Sequence, residues 1–234
     1  MTRDALKRMA AKAAVAMVRP GMLVGLGTGS TANHAIDLLA EQGTRFTGVP
    51  TSAATARRAR ALGIKLLDGP MGEPIDLTID GADEIAAGDL SLIKGMGGAL
   101  FREKIVAAAS RAMIVIADDT KLVPRLSGSL AVPVEVLAFG VEATQRRIAA
   151  LGCRTTVKQS TFGGRFYTDS GNVILLCQFD ALPDAAAADR ALSDIVGVVE
   201  TGFFIGLATT ALVASADGVR RIDRARVIAA AAGA

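Results

Sequence analysis

The chain has 234 residues, 51% of them hydrophobic, with 25 glycines and a formal net charge of +3 at pH 7. That length builds one large domain or two small ones with cores of their own, and the composition excludes a disordered, fibrous or disulfide-stapled scaffold. Two cysteines without CxxC spacing and a single histidine exclude a zinc or iron site built on those ligands. The mild charge, one tyrosine and absence of tryptophan give little basis for nucleic-acid binding, although Arg220, Arg221, Arg224 and Arg226 cluster near the C-terminus.

Residues 1–18 read as an amphipathic helix, with Leu6, Met9, Ala13 and Met17 on one face. Arg3, Asp4, Lys7, Arg8 and Lys12 interrupt the apolar run that a secretory leader requires. No apolar stretch approaches the ~18 residues needed to span a bilayer, so a cytoplasmic protein without a membrane partner is expected.

From residue 23 onward short apolar runs alternate with helical patterns. Strands are predicted at 23–25, 46–49, 64–67, 77–80 and 113–117, and helices at 32–40, 53–62 and 99–110, with Gly43 and Gly63 at helix ends. Such alternation predicts a doubly wound, Rossmann-like parallel sheet. After Pro124 the order becomes strand 132–136, helix 141–151, strand 154–158, strand 173–179, helix 185–193 and strand 196–200, a ferredoxin-like β-α-β-β-α-β series. The expected architecture is thus α/β: a Rossmann-like domain of residues 1–126 plus 201–234, with an inserted ferredoxin-like α+β lobe of residues 127–200.

Three loops carry candidate chemistry. In LVGLGTGSTANHAIDLLA a buried strand runs through Gly25, Gly27 and Gly29 into a helix opening near Ser30 and Thr31. Free N–H groups at such a turn, aided by the helix dipole, suit an anion. The segment is neither a Walker A loop nor GxGxxG, so a small phosphate fits better than a nucleotide; Ser30 or Thr31 as a plain N-cap is the alternative. Next, the strand LTID ends in Asp80, Gly81, Ala82, Asp83 and Glu84, which places three carboxylates at the carboxyl edge of the sheet, where open α/β folds bind ligands. Crowded carboxylates raise one another's pKa and can supply an acid, while taken alone the segment reads more simply as a solvated acidic turn, or as an N-cap followed by a dipole-complementing carboxylate. In the third loop, Lys94, Gly95, Met96, Gly97 and Gly98 lead into a helix carrying Arg102, Glu103 and Lys104. Glycine amides and a lysine can hold a developing oxyanion, whereas the three charged residues also read as an ordinary helical surface.

Together these segments resemble the ribose-5-phosphate isomerase A family. GLGTGSTA is similar to its GxGTGSTA loop, TIDGADEI to its VDGADEI signature and IKGMGGALFREKI to its KGGGAALxREKI segment, and the likeness covers nearly the whole chain. The resemblance implies aldose–ketose isomerisation of a pentose 5-phosphate through an enediolate, with no metal or other cofactor, in a homodimer or homotetramer. By matching position it implies Glu103 as the base and Asp80, Asp83 and Lys94 around the reactive end of the sugar. Thr28, Gly29, Ser30 and Thr31, Lys7 and Lys121 then bind the phosphate end, while Gly81, Ala82, Gly95, Met96 and Gly97 complete the substrate contacts. Three positions depart from the family pattern: Met96 replaces a glycine, Phe101 a smaller residue, and Thr209 a frequent acidic residue. Related architectures also serve amino-sugar phosphate isomerase/deaminases and acyl-CoA transferases, and a sugar-phosphate sensor without turnover is a further alternative.

Overall fold

The structure, a computed structural model, describes residues 1–69, 71–126, 130–182 and 184–225. Arg226 and the expected junction at residue 127 lie outside the described residues.

Helix α1 (Arg3–Val15) starts where the Thr2 hydroxyl accepts a hydrogen bond from the Ala5 amide, and Asp4 and Lys12 complement the two ends of its dipole. Along the chain follow β1 (Leu23–Leu26), α2 (Ser30–Gln42), β2 (Thr47–Pro50), α3 (Ala53–Ala61), β3 (Leu77–Gly81), β4 (Glu84–Ala86), β5 (Leu92–Ile93), α4 (Leu100–Ala108) and β6 (Met113–Asp118). A turn of 3-10 helix, Asp119–Lys121, leads into β7 (Leu122–Val123). Then come β8 (Val132–Val136), α5 (Val141–Ala149), β9 (Cys153–Val157), β10 (Val173–Phe179), α6 (Ala185–Ser193), β11 (Val198–Thr201), β12 (Phe203–Phe204), β13 (Thr210–Ser215) and β14 (Gly218–Asp223).

The main sheet has the order β14-β13-β6-β3-β1-β2, parallel except for the terminal β13–β14 hairpin. Its central strands β1, β3, β6 and β13 are buried on both faces, whereas the edge strand β14 is largely exposed, and the alternation along the central strands divides the core. Ile114 and Ile116 of β6 join Leu6, Ala10, Ala14, Ile36 and Leu39 of α1 and α2 on one side. Met113, Val115 and Ala117 join Ile85, Leu92 and Phe204 on the other. Burying a leucine- or isoleucine-sized side chain contributes roughly 1.5–3 kcal/mol, so each face of this short strand is strongly specified.

The second sheet, antiparallel in the order β11-β8-β10-β9, is the ferredoxin-like arrangement expected from the pattern. A third sheet, β12-β5-β4-β7, was not foreseen. Ala86, Ile93 and Phe203 pack into the core of the ferredoxin-like unit, while Ile85, Leu92 and Phe204 pack beneath the parallel sheet. These strands of two or three residues are too short to show any period, yet they join the two cores.

One predicted strand is corrected. Residues 64–67 make only a single bridge, Leu66 to Gly48, instead of a full strand. The Gly48 amide donates to the Lys65 carbonyl and the Leu67 amide to the Gly48 carbonyl, so this apolar run covers the sheet edge without extending it. The predicted helix at 99–110 begins at Leu100 and ends at Ala108.

Candidate active site

The three loops converge at the carboxyl edge of the parallel sheet around a cavity of about 140 Å³. Lys7, Thr28, Gly29, Ser30 and Thr31 line one side, Gly81, Ala82 and Asp83 the middle, and Lys94, Gly95, Gly97, Glu103 and Lys121 the rest. Asp80 lies behind Lys94, fully buried, and Met96 contributes through its backbone.

At the first loop, Gly29 has φ +122°, a region that side-chain-bearing residues seldom enter, and it is the N-cap of α2 with no side-chain cap. Ser30 and Thr31 therefore sit inside the helix, which corrects the N-cap reading and leaves the first amides of α2 facing the cavity rather than a capping oxygen. Lys7 donates through Nζ to Ser30 Oγ at 3.0 Å, which brings a cation from α1 to the same helix start. The Thr28 hydroxyl turns instead to Thr51, Ser52 and Thr55, at 2.7, 2.9 and 3.0 Å, and ties the loop to the start of α3. An alanine at position 27 would put its Cβ 2.1 Å from Asp80 Oδ1, so only glycine lets the first loop lie against the second.

The centre is a buried lysine between two buried carboxylates. Lys94 Nζ is 2.9 Å from Asp80 Oδ2 and 3.4 Å from Glu103 Oε2, and it donates to the Gly81 carbonyl at 2.6 Å. Relative exposures of 0% for Asp80, 2% for Lys94 and 4% for Glu103 rule out both the solvated turn and the surface-helix alternatives for these residues. Asp80 Oδ1 accepts from the amides of Gly81 at 2.7 Å and Thr28 at 3.2 Å, and Asp83 Oδ2 accepts from the Met96 amide at 3.0 Å.

Electrostatics follow from that burial. Burial pushes Glu103 up to about 8; Lys94 opposes the rise, and Asp80 and Asp83 add to it. Burial also raises Asp80, against the pull of Lys94 and the hydrogen bonds it accepts. For Lys94 burial favours the neutral amine, but Asp80, Glu103 and Asp83 outweigh it and raise its pKa, so the ammonium persists. One cation thus faces two carboxylates that cannot both be ionised cheaply. Of the two, Glu103 is the carboxyl that burial brings up to about 8.

Phe204 and Lys158 were not foreseen. The Phe204 ring lies 5.4 Å from Lys94 Nζ and 5.2 Å from Lys104 Nζ, which are cation–π distances. Lys158 donates to the Met96 carbonyl at 2.7 Å. Thr209 donates to the Met113 carbonyl at 2.9 Å, so this departure from the family pattern closes backbone at the sheet's other end. Phe204 and Lys158 both lie far along the chain, and no local pattern ties them to loops near residues 80–103. His34 hydrogen-bonds Asp4 at 2.9 Å between α1 and α2. No cluster of His, Cys, Asp and Glu suited to a metal is found among the described residues.

Fold and cavity define a Rossmann-like α/β protein with an uncapped helix start facing a buried acid–lysine group. Residues 47–218 match the family described as ribose 5-phosphate isomerase A (phosphoriboisomerase A). A ribose-5-phosphate isomerase A of Gloeobacter violaceus is 50% identical over 94% of this chain and 96% of its own. One of Rhodopseudomonas palustris is 49% identical over 96% of this chain and 100% of its own. Among solved structures, ribose 5-phosphate isomerase A of Methanocaldococcus jannaschii superposes with a TM-score of 0.90 at 33% identity, covering 95% of this chain and all of that one. A D-ribose-5-phosphate isomerase in complex with phospho-erythronic acid gives 0.91 at 33% identity, covering 96% of this chain and 100% of that one. The chain belongs to the ribose-5-phosphate isomerase A family.

Proposed function

We propose that this chain interconverts D-ribose 5-phosphate and D-ribulose 5-phosphate by moving a proton between C2 and C1 of the open-chain sugar through a cis-enediolate. The observation that carries this reading is the Glu103–Lys94–Asp80 group at one end of a cleft whose other end is an uncapped helix start. The named relatives and the phospho-erythronic acid complex support it.

In this scheme the ionised Glu103 removes the carbon-bound proton and returns it to the neighbouring carbon. Lys94 and the amides of the 95–98 loop stabilise the oxygens on which charge develops. Asp83 holds the sugar hydroxyls and assists ring opening, and Asp80 keeps Lys94 charged and in place. The phosphate binds at Ser30 and Thr31 with Lys7 and Lys121, where remote binding energy orients the sugar. The same reading takes residues 1–126 plus 201–234 as the catalytic domain and 127–200 as the inserted lobe, in a homodimer or homotetramer in the cytoplasm. No helix among the described residues is long and apolar enough to cross a membrane.

Lys94 supplies the positive charge at the reacting oxygens in this scheme, so turnover of ribose 5-phosphate in a coupled spectrophotometric assay is expected to survive exhaustive EDTA treatment. Loss of activity on chelation, restored by a divalent ion, would refute the scheme. Saturable binding with no isomerisation would identify a sensor instead.

The phosphate end has its own test. Ser30→Ala with Thr31→Ala should mainly raise KM, and Lys121→Ala should weaken phosphate-bearing ligands more than free ribose. Unchanged kinetics in the double variant would place phosphate recognition elsewhere.

A further inference from the structure

We propose that Lys158, contributed by the ferredoxin-like lobe, is a positioning residue for the isomerisation: it fixes the Met96–Gly97 peptide so that the Gly97 N–H points at the developing enediolate. This rests on the isomerase reading given above. Lys158 follows β9, its amide donates to the Ile174 carbonyl at 2.9 Å, and its Nζ reaches out of the lobe to the Met96 carbonyl at 2.7 Å.

Three hydrogen bonds hold the 95–98 loop. The Met96 amide donates to Asp83 Oδ2 at 3.0 Å, which fixes the peptide before Met96, and Lys158 fixes the peptide after it. The Gly98 amide closes the turn onto the Gly95 carbonyl at 2.8 Å. The Gly97 amide takes no hydrogen-bond partner among the described residues, and Gly97 lines the cavity with Lys94 and Glu103. In a trans peptide the C=O and N–H point in opposite directions, so a carbonyl drawn outward by Lys158 turns its paired N–H inward. A charge-assisted bond of this kind is about twice as strong as a neutral one, enough to hold a glycine-rich turn that would otherwise sample several orientations.

The lobe braces the loop a second time. The Phe166 amide donates to the Lys158 carbonyl at 3.0 Å, and its ring lies 5.2 Å from Lys158 Nζ. That ring covers Gly98 so closely that an added Cβ would lie 2.3 Å from Phe166 Cε1. Lysine and ring thus grip both ends of the Met96–Gly98 stretch, and the lobe becomes part of the electrostatic machinery rather than a lid or spacer.

The test uses the full chain and the variants Lys158→Met, Lys158→Gln and Lys158→Arg. Removing one preorganised oxyanion donor typically costs about 10²–10³-fold in kcat; loosening one that remains present should cost about tenfold or more. For Lys158→Met the expected result is that loss in kcat with KM for ribose 5-phosphate within about threefold. Affinity for phospho-erythronic acid, whose carboxylate puts negative charge where the enediolate carries it, should fall alongside kcat. Lys158→Arg should recover most of both, because it restores a charged donor. If Lys158→Met does not fold, Lys158→Gln keeps a donor without the charge and should show a smaller loss with the same split. Wild-type kcat in Lys158→Met, or a loss shared equally by KM and unrelieved by arginine, would overturn the assignment. A wild-type chain that does not isomerise ribose 5-phosphate would overturn the functional reading itself. Normal wild-type turnover with an unimpaired Lys158→Met would overturn only the role of Lys158.

Discussion

Glu103→Gln is expected to lower kcat by about 10²–10⁴-fold while leaving affinity for phospho-erythronic acid nearly unchanged, since a positioned general base typically contributes that factor. The substitution keeps the shape of a side chain buried in the first turn of α4 and removes its ability to take a proton. Solvent deuterium should no longer enter the sugar, because exchange and isomerisation share the same abstraction step. The wild-type pH profile supplies an independent check. Burial pushes Glu103 up to about 8, and only the ionised form is a base. Consequently kcat/KM should rise about tenfold per pH unit below that value and level off above it. A flat profile between pH 6 and 9, or wild-type exchange in Glu103→Gln, would move the base to Asp80, Asp83 or Glu84.

Lys94→Met should abolish measurable isomerisation and also destabilise the fold, by about 3–5 kcal/mol, because it leaves two buried carboxylates without their cation. The penalty has a definite pH dependence. Glu103 and Asp80 already titrate above their unfolded values, so stability contributed by their protonated forms is present at acid pH and lost as pH rises through the folded values. Removing Lys94 raises both values further. The variant should therefore lie closest to wild type near pH 5 and fall furthest behind near pH 9. Urea unfolding at the two pH values measures this directly; an equal deficit at both, or one below about 1 kcal/mol, would mean that the three groups are not electrostatically linked.

Both substitutions involve residues that could be found from sequence, and the reason is local. The apolar LTID run ending in a carboxylate, and the glycine loop opening a helix, have periods and breakers that state their own conformation. The ferredoxin-like order was legible for the same reason, since Val173, Leu175, Cys177 and Phe179 alternate into one core. Residues 64–67 misled because an apolar run at a sheet edge looks the same whether it pairs fully or only covers the edge. Phe204, Lys158 and the hydroxyls of Thr51, Ser52 and Thr55 escaped for the opposite reason: each meets the site only through tertiary packing. The buried state of Glu103 belongs to that class as well. REK on a helix carries no sign of which charged face will be covered.

The join at Gly202 has a consequence for how the protein comes into being. Its carbonyl accepts from the Lys94 amide at 2.9 Å, its own amide donates to the Pro133 carbonyl at 2.7 Å, and an added Cβ would lie 2.4 Å from the Lys94 carbonyl. Just beyond it, Thr209 reaches back to Met113, 96 residues earlier, as β13 settles beside β6. Every side chain lining the cleft, from Lys7 to Lys121, has therefore left the ribosome long before the segment that anchors Lys94 and completes the sheet. Contacts this distant are slow to form, because a long loop must close before they return anything. The topology therefore requires residues 202–215 to be present before the groups around Lys94 and the sheet that carries them can be fully assembled.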